Sequence, residues 1–233
     1  MSEQLFDKYP SPIEKKLDNF EKYVKRQALT RFIARYELFK KVIEIKGSIV
    51  ECGVHHGGGL FAWAKLSAGI EPVALDRKII GFDTFEGFPS VHSADKGVEN
   101  AALKTGGFST GYNVLSELEE CKSEFDNNRF LNQFEKIEFV KGDACKTIPD
   151  YVKSNPHLIV SLLFLDFDLY EPTAVALEHL LPRIPKGGIV AFDEINNPWW
   201  PGETTAALEA FKSFNKVQLS RFSFDPNIAY AVM

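Results

Sequence analysis

Short apolar runs alternate with amphipathic stretches along the chain from residue 47 onward. Runs of Ile, Val, Leu and Phe that stop at a polar residue predict five strands, at residues 48–52, 79–83, 137–140, 159–166 and 189–193. Apolar residues at three- and four-residue spacing predict helices between them, at residues 58–68, 148–153, 173–181 and 204–214. This alternation is typical of a mostly parallel sheet with helices on both faces, joined by right-handed crossovers.

The two ends of the chain depart from this pattern. Two runs at residues 217–222 and 228–232 predict a closing antiparallel hairpin. Ser11-Pro12 predicts a helix start after an arm of ten residues, and an apolar stripe predicts a long helix over residues 24–45. We therefore predict an N-terminal helical extension over residues 1–46, which covers the sheet or a neighbouring subunit, and one α/β domain over residues 47–233.

Composition narrows the function classes. The net charge of −5 opposes a nucleic-acid partner, since such domains are usually basic. Three cysteines without metal-ligand spacing predict reduced thiols and a cytoplasmic protein. The longest apolar run is too short for a membrane span, and charged residues precede any apolar block near the N-terminus, so we expect no secretory signal. A small-molecule ligand is the favoured partner.

Acidic side chains lie at or just after the end of every predicted parallel strand. They are Glu51, Asp83, Asp143, Asp166, Asp168, Asp193 and Glu194. Ligands of open parallel sheets bind beyond the carboxyl ends of the strands, so we expect these acids to share one edge. Clustered carboxylates repel one another unless a cation or hydroxyl donors compensate. The alternative for each acid alone is that it caps the following helix.

The segment around the first strand end is rich in glycine. Gly53, Gly57, Gly58 and Gly59 permit a sharp turn and close approach of a ligand to the backbone. The spacing matches neither the dinucleotide glycine motif nor a phosphate-binding loop, which weakens both of those interpretations. His55 and His56 lie in this turn, and we expect one of them to reach an acceptor pocket, His56 being the catalytic candidate.

Two kinds of site are predicted from the remaining acids. Asp83 suits the hydroxyls of a ribose and Asp143 an adenine amino group, with Phe82 or Phe85 as an apolar wall for the base. A second group, from adjacent predicted strands, suits a hard divalent ion such as Mg²⁺ or Mn²⁺. That group comprises Asp166, Asp193 and Glu194, while Asp168, sharing a face with Asp166 in extended chain, is a ligand, a supporting acid or a general base.

Two further segments are candidates for acceptor binding. Residues 88–113 carry many Gly and no clear periodicity, which predicts either a mobile lid or a plain surface insertion. Trp199, Trp200 and Pro201 follow the last pair of acids, and an aromatic wall there suits the apolar face of a sugar ring. A packing role for the two tryptophans is the alternative.

With these residues in hand, the chain resembles a class I S-adenosylmethionine-dependent methyltransferase. Among such enzymes it is similar to the macrocin O-methyltransferase family of sugar O-methyltransferases, including those that act on calicheamicin-type glycosides. The segments that carry the resemblance are VECGVHHGGG, GFDTFEGFP, FLDFDLYEPT and GGIVAFDEINNPWWPGE. They occur in order, and the resemblance covers about residues 47 to 233.

The resemblance implies a Rossmann-like sheet of order 3-2-1-4-5-7-6 with strand seven antiparallel. It implies S-adenosyl-L-methionine as cofactor, bound by residues of four segments, and Mg²⁺ held by Asp166, Asp193 and Glu194. The implied cofactor residues are Glu51, Gly53, Gly57, Gly58, Asp83, Thr84, Phe85, Asp143, Ala144 and Asp166. This chain has Asp-Phe-Asp and Asp-Glu where relatives have Asp-Gly-Asp and Asp-Asp, and Leu169 where some relatives have a histidine base.

The expected reaction is methyl transfer to a hydroxyl of a sugar, in a nucleotide sugar, a glycoside or a surface glycan. Asp168, Asp166 and His56 are the catalytic candidates, with Asp168 as the first choice for the base. Alternatives are a metal-independent methyltransferase, a non-catalytic cofactor-binding protein and an NAD-dependent oxidoreductase. The last of these requires the dinucleotide-binding glycine motif, which this chain lacks. A homo-oligomer formed through the N-terminal helices is also expected.

Overall fold

The computed structural model describes residues 3–233, so the first two residues of the predicted extension lie outside it. Seven strands form one sheet: β1 (Ser48–Cys52), β2 (Ile79–Asp83), β3 (Ile137–Lys141), β4 (Val160–Leu165), β5 (Ile189–Phe192), β6 (Ser220–Arg221) and β7 (Ala229–Val232). Their order is β3-β2-β1-β4-β5-β7-β6. The first five pair in parallel, while β7 runs antiparallel to both β5 and β6. The predicted sheet order and its antiparallel strand are confirmed.

Eight α-helices accompany the sheet in the described residues: α1 (Glu3–Lys8), α2 (Ile13–Leu17), α3 (Arg26–Val42), α4 (Gly58–Ile70), α5 (Val114–Asn127), α6 (Ala144–Ser154), α7 (Tyr170–Leu180) and α8 (Pro201–Phe211). Residues 3–8 are helical, so the predicted N-terminal arm is wrong there. Helix α5 is absent from the sequence predictions. No helix among residues 3–233 has the length and apolarity needed to cross a membrane.

Alternation along each strand builds two cores, one on each face of the sheet. Ile49 and Phe164 face the layer of α3, α4 and α5, whereas Val50 and Leu165 face the layer of α6, α7 and α8. Strands β1, β4 and β5 are buried along their whole length, as expected when helices cover both faces. The carboxyl ends of the five parallel strands therefore open on one edge, where the acids lie.

Helix α3 buries only part of the apolar stripe from which it was predicted: Phe39 and Val42 of that stripe are buried, but others are not. Its buried apolar side chains include Ala34, Leu38 and Phe39, whereas Phe32, Ile33 and Tyr36 are more than a third exposed. The charged side chain of Arg35 lies on the buried face as well. The sequence pattern identified the helix correctly and misjudged its orientation, because two arginines four residues apart face inward.

Candidate functional site

A cavity of about 390 Å³ lies at the carboxyl edge of the sheet. It brings together residues from all five parallel strand ends, the glycine-rich turn, α3 and the segment 88–113. Of the site residues predicted from sequence, those that line it are Glu51, Gly53, His56, Gly58, Asp83, Thr84, Phe85, Asp143, Ala144, Asp166, Asp168, Asp193 and Glu194. Gly57 is the exception. The expected convergence of the seven acids is therefore observed.

The glycine-rich turn is held in place by the carboxylate at the end of β2. One oxygen of Asp83 accepts hydrogen bonds from the backbone N–H groups of Val54 and His55, at 2.7 and 2.8 Å. The other oxygen accepts from the N–H of Phe85 at 2.7 Å. Because a carboxylate has about four acceptor positions, Asp83 keeps capacity for a ligand hydroxyl beside these bonds.

Two glycines of the turn have different roles. Gly53 has φ +93°, and a Cβ there would overlap the carbonyl oxygen of Asp166, so only glycine fits. Gly57, at φ +80°, precedes helix α4, and a Cβ there would meet Leu118 of α5 rather than the cavity. Gly57 does not line the cavity. Its role is to turn the chain into α4.

The candidates for adenine binding fall into two sets, one that lines the cavity and one that lies in the core. Asp143 accepts a hydrogen bond from the N–H of Cys145 at 3.0 Å, so it caps α6, as the alternative interpretation of the acids anticipates. It also lines the cavity with Ala144 and Phe85. Phe82 is fully buried and packs edge-to-face on Tyr151, so it belongs to the core and not to the site.

Glu51 is among the residues that line the cavity, but it is almost completely buried beneath the turn. It is 1% exposed, and its nearest cation is the guanidinium of Arg35, 3.9 Å away. Arg35 itself lies over the ring of Phe164, 5.0 Å from the centroid. Burial raises the pKa of Glu51 to about 7, although Arg35 opposes the shift. The acid at the end of β1 thus sits at the junction of α3, α4 and the sheet.

This raised pKa predicts a pH dependence of stability. The pKa of Glu51 rises on folding from 4.5 to about 7, so its contribution to stability is complete at low pH and is lost as the pH rises towards 7. We expect urea unfolding between pH 5 and 7 to give a steeper decline for the wild type than for Glu51→Gln, by up to about 1.4 kcal/mol per pH unit. Parallel pH profiles for the two proteins would contradict the assignment.

Helix α4 approaches Glu51 so closely that one position has no room for a side chain. A Cβ at Gly59 would overlap the Glu51 carboxylate and the Arg35 guanidinium, whereas Gly69, in the same helix, has open space around it. We expect Gly59→Ala to lower the free energy of unfolding by about 1–3 kcal/mol. Gly69→Ala should raise it by up to about 1 kcal/mol, since alanine is the better helix former. Equal effects in urea unfolding would refute this packing.

A second acid group lies across the cavity, at or just after the ends of β4 and β5. It comprises Asp166, Asp168, Asp193 and Glu194. The pKa of Asp166 is raised well above its usual range by burial and by the charges of Asp193 and Asp168. Burial, with Glu194 and Asp193, likewise raises the pKa of Asp168. Asp168 has φ +63°, so the chain is not extended there as the sequence interpretation assumed. Both side chains nevertheless line the cavity.

Arg31 of α3 is the counter-ion of this group and was not predicted. Its Nη1 donates to Asp193 Oδ2 at 3.0 Å, and its Nη2 lies 2.8 Å from Asp193 Oδ1. The same Nη2 lies 3.4 Å from Asp166 Oδ2. Burial lowers the pKa of Arg31, but Asp193 and Asp166 raise it by more, so it is charged. No sequence motif marks it; the only signal is an arginine on a helix face shared with Arg35.

The carboxylates match Mg²⁺ chemically, but they are not arranged as a finished metal centre. Oxygen-only donors are the ligands that a hard divalent ion prefers. Among the described residues, no group of three or more His, Cys, Asp or Glu side chains is placed to hold a metal. The guanidinium of Arg31 contacts Asp193 and Asp166, two of the three predicted ligands.

The third predicted ligand is held by neighbours that the sequence interpretation missed. The backbone N–H of Glu194 donates to Glu203 Oε1 at 2.9 Å, and the Glu194 side chain accepts from Asn197. Glu203 is fully buried, and burial raises its pKa well above the usual range. Its other oxygen has no hydrogen-bond partner within residues 3–233. Glu203 therefore fixes the turn after β5 that presents Glu194.

An aromatic wall and the segment 88–113 close the outer side of the cavity. Phe88, Phe108 and Trp200 pack together, with ring centroids 5.3 to 5.9 Å apart. Trp199 is half exposed and lies outside the lining, so only one of the two tryptophans contributes. Buried Asp95 ties the segment to α7 by accepting from the N–H of Tyr170 at 2.6 Å. Whether the segment moves as a lid stays a prediction.

The chain is similar to methyltransferases of known name. The family model for macrocin-O-methyltransferase (TylF) matches residues 26–230. A Streptomyces olivaceus 8-demethyl-8-(2,3-dimethoxy-alpha-L-rhamnosyl)-tetracenomycin-C 4'-O-methyltransferase is 32% identical over 64% of this chain and 53% of its own length. The chain spans 53% to 60% of the length of the curated relatives that it matches.

Solved structures extend the similarity over nearly the whole chain. The crystal structure of CalS11, calicheamicin methyltransferase, has a TM-score of 0.92 and 33% identity, covering 98% of this chain and 88% of that one. The apo structure of CalS11, TDP-rhamnose 3'-O-methyltransferase, has a TM-score of 0.84 and 30% identity, covering 98% and 90%. From the cavity, the sheet order and these matches, we conclude that the chain belongs to the macrocin O-methyltransferase (TylF) family.

Proposed function

We propose that the protein is an S-adenosylmethionine-dependent O-methyltransferase that acts on a hydroxyl of a sugar. The observation that carries the proposal is the meeting of seven strand-end acids and an aromatic wall in one cavity. Membership of the family supports the activity. The names of two similar proteins specify a rhamnosyl compound and TDP-rhamnose, which supports a deoxysugar acceptor.

The polar groups that the fold holds in place support a cofactor site at one end of the cavity. Asp83 has acceptor capacity left for the ribose hydroxyls, and its three backbone hydrogen bonds keep the carboxylate oriented. Asp143, Ala144 and Phe85 suit the adenine, and Gly53 and Gly58 leave room for the amino-acid part. When bound, S-adenosylmethionine supplies a methyl group on a sulfonium, whose transfer leaves a neutral thioether.

The acceptor end lies between the second acid group and the aromatic wall. Asp168 is the proposed base: it takes the proton from the sugar hydroxyl as the oxygen forms its bond to the methyl carbon. A carboxylate whose pKa is raised by burial and by Glu194 is a stronger base than an exposed one. Trp200 and Phe108 suit the apolar face of the sugar and hold it in line for attack. His56, exposed and within hydrogen-bond reach of Tyr112, is a weaker candidate for the base.

Assistance by Mg²⁺ is the finer part of the proposal. Asp166, Asp193 and Glu194 are the residues that would hold the ion. A bound Mg²⁺ supplies a Lewis acid that lowers the pKa of a sugar hydroxyl. Transfer without a metal is the second candidate, and the Arg31 contact with Asp166 and Asp193 favours it. Residual activity in excess chelator discriminates between the two.

A labelled-cofactor screen tests the proposed reaction. The protein is incubated with S-adenosylmethionine carrying an isotopic methyl group and with a panel of nucleotide sugars and glycosides, with and without chelator. Mass spectrometry should detect one labelled methyl group on a sugar, formed at least about a hundredfold more slowly by the Asp168→Asn protein. Labelling confined to the nucleotide or the aglycone of these compounds would refute the sugar acceptor while leaving the methyltransferase activity intact.

A further inference from the structure

The contact between Arg31 and the second acid group uses both oxygens of Asp193. The two guanidinium nitrogens lie 3.0 and 2.8 Å from Oδ2 and Oδ1, and Nη2 also reaches Asp166 Oδ2 at 3.4 Å. The Nη1 contact with Oδ2 is a charge-assisted hydrogen bond. Oδ1 of Asp193 has no hydrogen-bond partner among the described residues, so its contact with Nη2 is an ion pair without a hydrogen bond. The Asp193 side chain is only 4% exposed, so water screens the pair poorly.

One guanidinium does not balance the charge around it. Asp166, Asp168, Asp193 and Glu194 all line the same cavity. Among the described side chains, Arg31 is the only basic group in ion-pair contact with any of them. Four neighbouring carboxylates with one cation favour either protonation or a second positive charge. The group is therefore built for more positive charge than Arg31 alone brings.

Arg31 can leave this contact without unfolding its helix. The second half of α3 is anchored, because Leu38 and Phe39 are fully buried and Arg77 donates to the carbonyls of Val42 and Ile43, at 3.2 and 3.0 Å. The first half is loosely packed, and the Arg31 side chain is itself 31% exposed. A change of rotamer would carry the guanidinium into solvent while the helix stays in place.

We propose that Arg31 is an internal counter-ion that competes with a divalent cation for Asp166 and Asp193. The proposal rests on the Mg²⁺-assisted form of the proposed function. A metal ion needs the carboxylate oxygens at about 2.0–2.1 Å, and a guanidinium bonded to the same oxygens excludes it by volume and by charge. Arg31 thereby sets the affinity of the site for the cation.

Calorimetric titration of the metal-stripped full chain with Mn²⁺ and Mg²⁺ tests this competition. In the wild type, only molecules whose Arg31 has left the carboxylates can bind the cation, so the apparent affinity is the intrinsic affinity multiplied by the fraction of such molecules. Arg31→Gln should therefore bind Mn²⁺ about tenfold or more tightly. The same variant without metal should melt at a lower temperature, since four acids then face one another uncompensated. Arg26→Gln, an exposed position on the same helix, is the control and should match the wild type.

Three outcomes would overturn the proposal. Equal or weaker Mn²⁺ binding by Arg31→Gln would mean that Arg31 does not compete with the ion. An unchanged melting temperature without metal would mean that it is not a counter-ion. No cation binding by either protein would remove the cation site, and with it this proposal. Methyl transfer in chelator would then still support the proposed methyltransferase, so the two failures are distinguishable.

Discussion

Replacing Asp168 by asparagine should reduce the turnover number by about 10²–10⁴-fold while leaving the affinity for S-adenosylmethionine nearly unchanged. The substitution removes the proposed base and keeps the shape of the side chain. Asparagine also tolerates the left-handed backbone at this position, φ +63°, better than most residues. Because Asp168 is repelled by Glu194 and Asp193, the variant should be at least as stable as the wild type. Steady-state kinetics and urea unfolding on the same samples measure both effects.

His56→Gln is the matched control for the choice of base. His56 is exposed and its nearest polar partner is the Tyr112 hydroxyl, at 3.3 Å, so its loss should change turnover by less than about tenfold. A reversal of the two results, with His56→Gln inactive and Asp168→Asn active, would assign the base to the histidine. A loss of stability in Asp168→Asn would contradict the like-charge description of the second acid group.

Replacing Asp83 by alanine should weaken both the fold and cofactor binding. The substitution leaves the N–H groups of Val54, His55 and Phe85 without their acceptor, all of them bonded at 2.7 to 2.8 Å. Hydrogen bonds to a charged group contribute about 1.5–3 kcal/mol each, but the turn can relax, so we expect a total loss of about 2–4 kcal/mol. The affinity for S-adenosylmethionine should fall by about a hundredfold or more. Urea unfolding and calorimetric titration provide the two measurements.

Asp76→Asn supplies the control for the loss of one aspartate. Asp76 pairs with Lys46 at the surface, where both side chains are more than half exposed. Such pairs contribute little, so this variant should stay within about 0.5 kcal/mol of the wild type and bind the cofactor equally well. Cofactor binding by Asp83→Ala at wild-type affinity would exclude Asp83 from the ribose site.

The central strands were predictable because β1, β2, β4 and β5 are almost entirely buried. Residues 48–52 and 79–83 are apolar runs with an acid in one of the last two positions, and the structure has strands with these bounds. The starts of α6, α7 and α8 were less predictable, since each helix begins three or four residues before its predicted start. Helix α6 begins at Ala144 rather than at residue 148, because Asp143 caps it, and the sequence analysis, which allowed this acid a capping role, did not use it to place the helix start. Helix α5 was missed because its buried side chains are few and widely spaced: Val114, Leu118 and Phe125.

The convergence of the acids followed from topology alone. Parallel strands end at one edge, so acids at their ends must meet whatever the details of packing. What surrounds them could not be predicted in this way. Arg31 and Glu203 contact the site from α3 and α8, and neither belongs to a strand end. Their roles depend on helix rotation and on long-range packing, which periodicity does not determine.

The central claim is that the acidic edge of the sheet holds a sulfonium methyl donor. Calorimetric titration of S-adenosylmethionine into the full chain tests it most directly. We predict saturable binding of one molecule per chain, abolished or strongly weakened in Asp83→Ala and retained in Asp168→Asn. The absence of binding by the wild type, or equal binding by Asp83→Ala, would contradict the account.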